Sequence, residues 1–105
     1  MSSPKELRRA PRYDYECSVM VLLGDDGHFS TMENISAMGC CIHRPPGWSQ
    51  LRGVKVKLFM NLGRSVQAVP ATTIWSNEGF IGFEYATPQA LPPELLSITV
   101  GNDAG

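Results

Sequence analysis

The sequence predicts an all-β domain, a small antiparallel barrel or sandwich built from six short strands. Three observations carry this expectation. Apolar residues recur with period two in several separate stretches, and those stretches are bounded by clusters of Gly, Pro, Asn and Asp. In addition, Gly (10) and Pro (8) are frequent for 105 residues, which favours many short elements joined by turns over a few long helices. Closing the sheet on itself would remove the two edges that six open strands expose.

The first strand begins near Tyr15. Tyr15, Cys17, Val19, Val21 and Leu23 alternate with Glu16, Ser18, Met20 and Leu22, so the first set faces inward. Gly24-Asp25-Asp26-Gly27 supplies a hairpin turn from residues that tolerate positive φ. A second strand runs from His28 to Ile35 with poorer alternation. Ser36-Ala37-Met38-Gly39 then turns the chain into a short strand, Gly39 to His43, which Arg44-Pro45-Pro46-Gly47 stops, because proline cannot donate to a ladder. Residues 44–53 read as a loop carrying Trp48.

Val54, Val56, Leu58 and Met60 alternate with Lys55, Lys57 and Phe59 in the fourth strand, and Asn61-Leu62-Gly63-Arg64 turns it. The fifth runs from Ser65 to Ser76, with Pro70 marking an edge or a bulge. After Asn77-Glu78-Gly79, the sixth places Ile81, Phe83 and Tyr85 on one face. Pro88 to Ser97 has room for one short helix with Pro92 and Pro93 at its start. Leu95, Leu96 and Ile98 would pack inward, and residues 101–105 read as a disordered tail.

Composition narrows the function. The chain is 43% hydrophobic and 18% charged, enough to bury a core without disulfides and unlike a disordered chain. Length implies one domain. A net charge of -1 disfavours a general DNA or RNA binder, which gains affinity through excess Lys and Arg. Trp48 and Phe59 with Lys55 and Lys57 are a thin version of the interleaved aromatic and basic face that single strands require. Three cysteines, two of them adjacent, do not make a secreted disulfide framework, and they read as reduced thiols in the cytoplasm. No apolar run reaches membrane-spanning length, and residues 1–12 lack a signal-peptide core, so no membrane insertion is expected.

Enzyme signatures are absent. His28 and His43 have no metal-ligand spacing around them, and no nucleophile elbow or phosphate loop occurs. Cys40 and Cys41 read as small hydrophobes of a strand rather than nucleophiles, and Asp25 and Asp26 are ordinary turn residues. No cofactor is called for.

Charge is instead local. Lys5, Arg8, Arg9 and Arg12 fall within eight positions. Pro11 removes an amide donor and pushes Ala10 towards extended geometry, so the arginines sit on an irregular segment able to curl around a ligand. A guanidinium fork suits phosphate oxygens and the O6/N7 edge of guanine. By itself such a cluster is also what a solvated tail looks like. The second feature, Asn34-Ile35-Ser36-Ala37-Met38-Gly39, puts short polar side chains on a tight turn, as many turns do.

Taken together, R-x-x-x-R before the first strand and D/N-x-S-x-x-G at the second turn of a small all-β domain resemble the PilZ domain family of bacterial cyclic di-GMP receptors. The resemblance runs from Arg8 to Tyr85 and includes Gly39-Cys40-Cys41-Ile42 and Gly79-Phe80-Ile81-Gly82-Phe83. It implies a six-stranded antiparallel β-barrel with a short C-terminal helix over residues 13–100, preceded by a flexible basic segment, 1–12, that folds over the ligand. It also implies that Arg8 and Arg12 contact phosphate and guanine, with Arg9 as an extra contact. Asn34 and Ser36 would bond to guanine and phosphate groups, Gly39 would keep the strand surface open, and Trp75 could lie beside a base. Asn34 stands where Asp is common, keeping the acceptor and losing a charge. The implied role is a cytoplasmic effector, not an enzyme, that binds cyclic di-GMP and signals to a protein partner in motility, adhesion, polysaccharide or virulence control. The competing expectation is a PilZ-like adaptor, as in pilus assembly, that binds no nucleotide.

Overall fold

The computed structural model describes residues 11–49, 52–61, 65–93 and 95. Within them the strands are β1 (Tyr13–Asp14), β2 (Ser18–Leu23), β3 (Asp26–Ile35), β4 (Gly39–His43), β5 (Lys55–Asn61), β6 (Val66–Ser76) and β7 (Phe80–Tyr85). All pairings are antiparallel. Their order, β3-β2-β5-β6-β7-β4, returns to β3 through the β3–β4 pairing, so six strands close a barrel and leave no free edge. β1 extends β2 along the same side of β3, after a break at residues 15–17: Asp14 pairs with Asn34 and Ser18 with Thr31.

The period-two faces account for the core. Val19, Val21, Leu58, Met60, Ile81, Phe83 and Tyr85 are buried, and Tyr15, Cys17 and Leu23 pack against them in part. The β2–β3 turn is tighter than the Gly24–Gly27 stretch suggests. Leu23 pairs with Asp26, leaving Gly24-Asp25 as the two-residue loop. Gly24 has φ 63°, the conformation a primed hairpin turn wants at its first central position.

Trp48 comes back from the 44–49 loop to close one end of the barrel. It is 3% exposed and meets the His28 ring edge-on at 5.0 Å, so it does not share an outer face with Phe59 and the lysines. Arg44 fixes this loop. Its Nε donates to Trp48 O (3.0 Å) and its Nη1 to Asn77 O (2.8 Å), with a further bond from Nη2 to Trp48 O. Pro70 lies where β7 has ended. Its carbonyl accepts from Ala86 N (2.9 Å), so its missing N–H points the same way, past the end of β7, and the ladder to β5 is untouched.

The expected segment 1–12 and the tail 101–105 fall almost wholly outside the described residues. The helix expected over Pro88 to Ser97 is not seen across its described first half, where Pro88, Pro92 and Pro93 supply no amide donors. Residues 88–92 are irregular, and only Pro93 and Leu95 take up helical geometry among those described. Leu95 is nevertheless buried in the core. No helix among the described residues is long and apolar enough to cross a membrane.

Candidate functional site

Two β-bulges decide which residues face outward on one side of the barrel. Along β3 the inward residues end at Met32, and strict alternation would send Asn34 inward too. A bulge between Met32 and Asn34 inserts one residue and reverses the parity, so Ile35 becomes the core residue (1% exposed) and Asn34 turns out. The same happens in β6 between Thr73 and Trp75. Thr73 is buried, and Trp75, which would otherwise follow it inward, lies on the outer face. The register then makes one continuous row: Asn34 beside Cys41, Cys41 beside Gly82, and Gly82 beside Trp75. At about 4.8 Å per strand this row is about 14 Å wide.

Its floor is shaped by a glycine. A Cβ on Gly82 would run into the Trp75 indole at Nε1 and Cε2, so the ring lies flat over β7 only because residue 82 has no side chain. Cys41, although outward, is 7% exposed. Its thiol is held protonated above its ordinary range, first by burial and then by the Glu33 carboxylate, with the Arg12 guanidinium pulling the other way. Arg12 is therefore close enough to act on the row. It precedes β1, whose pairing of Tyr13 with Ile35, continued by one residue, sets Arg12 beside Ser36.

Ser36 builds the turn. Its N–H donates to Gly39 O (2.8 Å). Its Oγ accepts from Met38 N (3.1 Å) and Gly39 N (3.2 Å) and donates to Gly39 O (3.3 Å). The hydroxyl is thus already engaged by backbone, and what the motif presents to solvent is Asn34 and the turn itself. Gly39 is required by the neighbouring strand: a Cβ there would collide with the Phe83 carbonyl of β7. Two carbonyls of this turn also hold the end of β7 and the chain after it, since Tyr85 N donates to Met38 O and Gln89 N to Ala37 O, each at 2.8 Å.

Sequence reading missed the edge of this face. Glu33 Oε1 pairs with His43 Nε2 at 3.1 Å, and the His43 ring lies 5.0 Å from Phe80. Neither residue belongs to a motif. The only trace was Glu33 preceding Asn34 and the exposed end of the short strand. Electrostatically the described face is not cationic: Asp14, Glu33 and Glu84 are exposed alongside Arg12. An anionic ligand here depends on added positive charge, and Arg8 and Arg9, which would bring it, lie outside the described residues.

The fold is similar to that of Bacillus subtilis inhibitor of motility (MotI/DgrA), with a TM-score of 0.72 at 18% identity over 90% of this chain and 52% of that one. The chain thus spans about half the length of that structure. No curated protein matches it by sequence. The family model described as PilZ domain matches residues 6–95. With both motifs, a closed six-stranded barrel and a match over most of its length, the chain belongs to the PilZ domain family, a family of cyclic di-GMP receptors and adaptors.

Proposed function

We propose that this protein is a cyclic di-GMP effector acting in the cytoplasm, not an enzyme, and that its ligand lies across the Asn34–Trp75 row. The observation that carries this reading is the placement of Arg12 beside the Ser36 turn, with Asn34 and Trp75 turned onto the same outer face by two bulges. The ligand has two phosphodiester charges and two flat guanines. Arg8, Arg9 and Arg12 supply forked donors to phosphate and guanine, Asn34 an amide that both donates and accepts, and Trp75 a flat surface. Ser36 and Gly39 hold the turn that aims Asn34, and Ser36 reaches the ligand itself only by giving up a turn bond.

The output proposed is a change read by a downstream protein. The turn carbonyls of Ala37 and Met38 anchor Gln89 and Tyr85, so a ligand that shifts the turn pulls on the segment after β7. Motility control is the process suggested by the name of the structural neighbour. The anionic balance of the described face favours one competing reading, an adaptor without nucleotide, if Arg8 and Arg9 do not reach it.

Isothermal titration with cyclic di-GMP separates the two. Saturable binding is expected, and Arg8→Ala and Arg12→Ala should each weaken it at least about tenfold, since removing one partner of a desolvated charge-assisted contact costs about 2–5 kcal/mol. No heat and no thermal stabilisation at high ligand would leave the adaptor reading standing.

A further inference from the structure

On the opposite side of the barrel, one rung of the ladder is apolar from end to end on its outer face. Phe29 pairs with Met20, Met20 with Phe59, and Phe59 with Ala68. Phe29 is 76% exposed. The adjoining rung adds Leu22 and Pro70 on either side of Lys57, and Val66, 63% exposed, lies next along β6. A sheet facing water on one side carries polar residues there, and a contiguous exposed apolar patch marks an interaction surface.

The charges around this patch say what covers it. Glu16, in the break just ahead of β2, precedes Met20 by four residues; on β5, Lys55 precedes Phe59 by four, and the two strands are antiparallel. Glu16 and Lys55 therefore lie beyond opposite ends of the apolar rung, Lys55 about 13 Å along β5 from it, and Lys57 lies on the lysine side. All three side chains are exposed. A two-fold axis in the contact plane, running along the rung, returns the rung onto itself and exchanges the ends. Glu16 of one copy then meets Lys55 and Lys57 of the other, with a sideways offset of one strand spacing, about 4.8 Å, which a lysine side chain spans. An isologous contact needs this self-complementarity, whereas an anionic lipid surface would use the lysine end and be repelled at Glu16. We propose that this face seats a second copy of the chain, forming a symmetric homodimer that leaves both Asn34–Trp75 rows outward.

The test is sedimentation equilibrium of the full chain from micromolar to millimolar concentration, without ligand. A monomer–dimer equilibrium is expected, and Phe29→Lys should weaken it at least about tenfold. Phe29 is exposed, so circular dichroism of that variant should match the parent. Glu16→Lys and Lys55→Glu should each weaken association, and the double exchange should restore it, which loss of fold cannot mimic. A protein monomeric throughout, or a dimer indifferent to Phe29→Lys with no rescue in the double exchange, overturns the proposal. So does a monomer that sediments with anionic vesicles, which would assign the face to lipid. Because no cyclic di-GMP enters the experiment, its failure and that of the receptor reading are distinguishable.

Discussion

A single methyl group tests the motif turn. Gly39 has the family's glycine, and the reason visible in the fold is steric: its Cβ position is taken by the Phe83 carbonyl across the β4–β7 ladder. Backbone on both sides cannot yield without opening the pairing. Gly39→Ala should therefore cost about 1–3 kcal/mol, as overpacking does, read as a lower urea midpoint without ligand. Cys40 carries a second residue-scale prediction. Burial is the largest cause pushing its thiol from 9.0 up to about 12, with the Tyr85 hydroxyl against it, and Tyr85 itself is pushed up, first by burial. Between those two pH values the unfolded thiol has lost its proton and the folded one keeps it. Stability is thus fully present below about pH 9 and falls as pH rises towards about 12, by about 1.4 kcal/mol per unit for this group. Denaturant midpoints measured against pH should show that decline, and Cys40→Ala should make it shallower, leaving the part that Tyr85 and Cys41, also pushed up, contribute.

At the scale of elements, the 44–49 loop is held less by its own turn chemistry than by one side chain. Arg44 binds the carbonyls of Trp48 and Asn77, tying the loop that closes the barrel end to the β6–β7 connection. Arg44→Ala should lower stability by about 1.5–3 kcal/mol, the range for hydrogen bonds to a charged group. Lysine should rescue little of it, because a point charge cannot replace the fork. Urea unfolding of the two variants checks this, and Trp48 fluorescence should report a loosened barrel end in both. The irregular junction between β1 and β2 has its own consequence: it lets β1 pair near the end of β3 and so delivers Arg12 to the motif turn.

For the whole molecule, closure is what lets one small chain present two unrelated faces. β3 and β6 are the long strands, and each contributes its first half to the Phe29–Ala68 side and its second to the Asn34–Trp75 side, with a bulge just ahead of Asn34 and of Trp75. Ligand binding on one side is then compatible with association on the other. If the receptor reading holds, ligand at about a hundred times its Kd should stabilise the fold by about 2.7 kcal/mol. A rise in Tm should be seen with the parent protein and be much reduced with Arg8→Ala at the same ligand concentration.

The sequence alone determined the fold class, the windows of all six barrel strands and the inward faces of β2, β5 and β7, because period-two alternation is local and each inward position can be read from its neighbours. It also exposed the two motifs, whose residues are contiguous in the chain. It could not place the bulges. The weak alternation of β3 was their one visible sign, and Pro70, expected to mark an edge or a bulge of β6, sits just past the end of β7, with the bulge between Thr73 and Trp75. Nor could it show that Cys41 faces out while Cys40 faces in, or that Gly82 is the floor under Trp75. Those facts depend on pairing between strands distant in sequence, and only closure of the barrel decides which of them become neighbours.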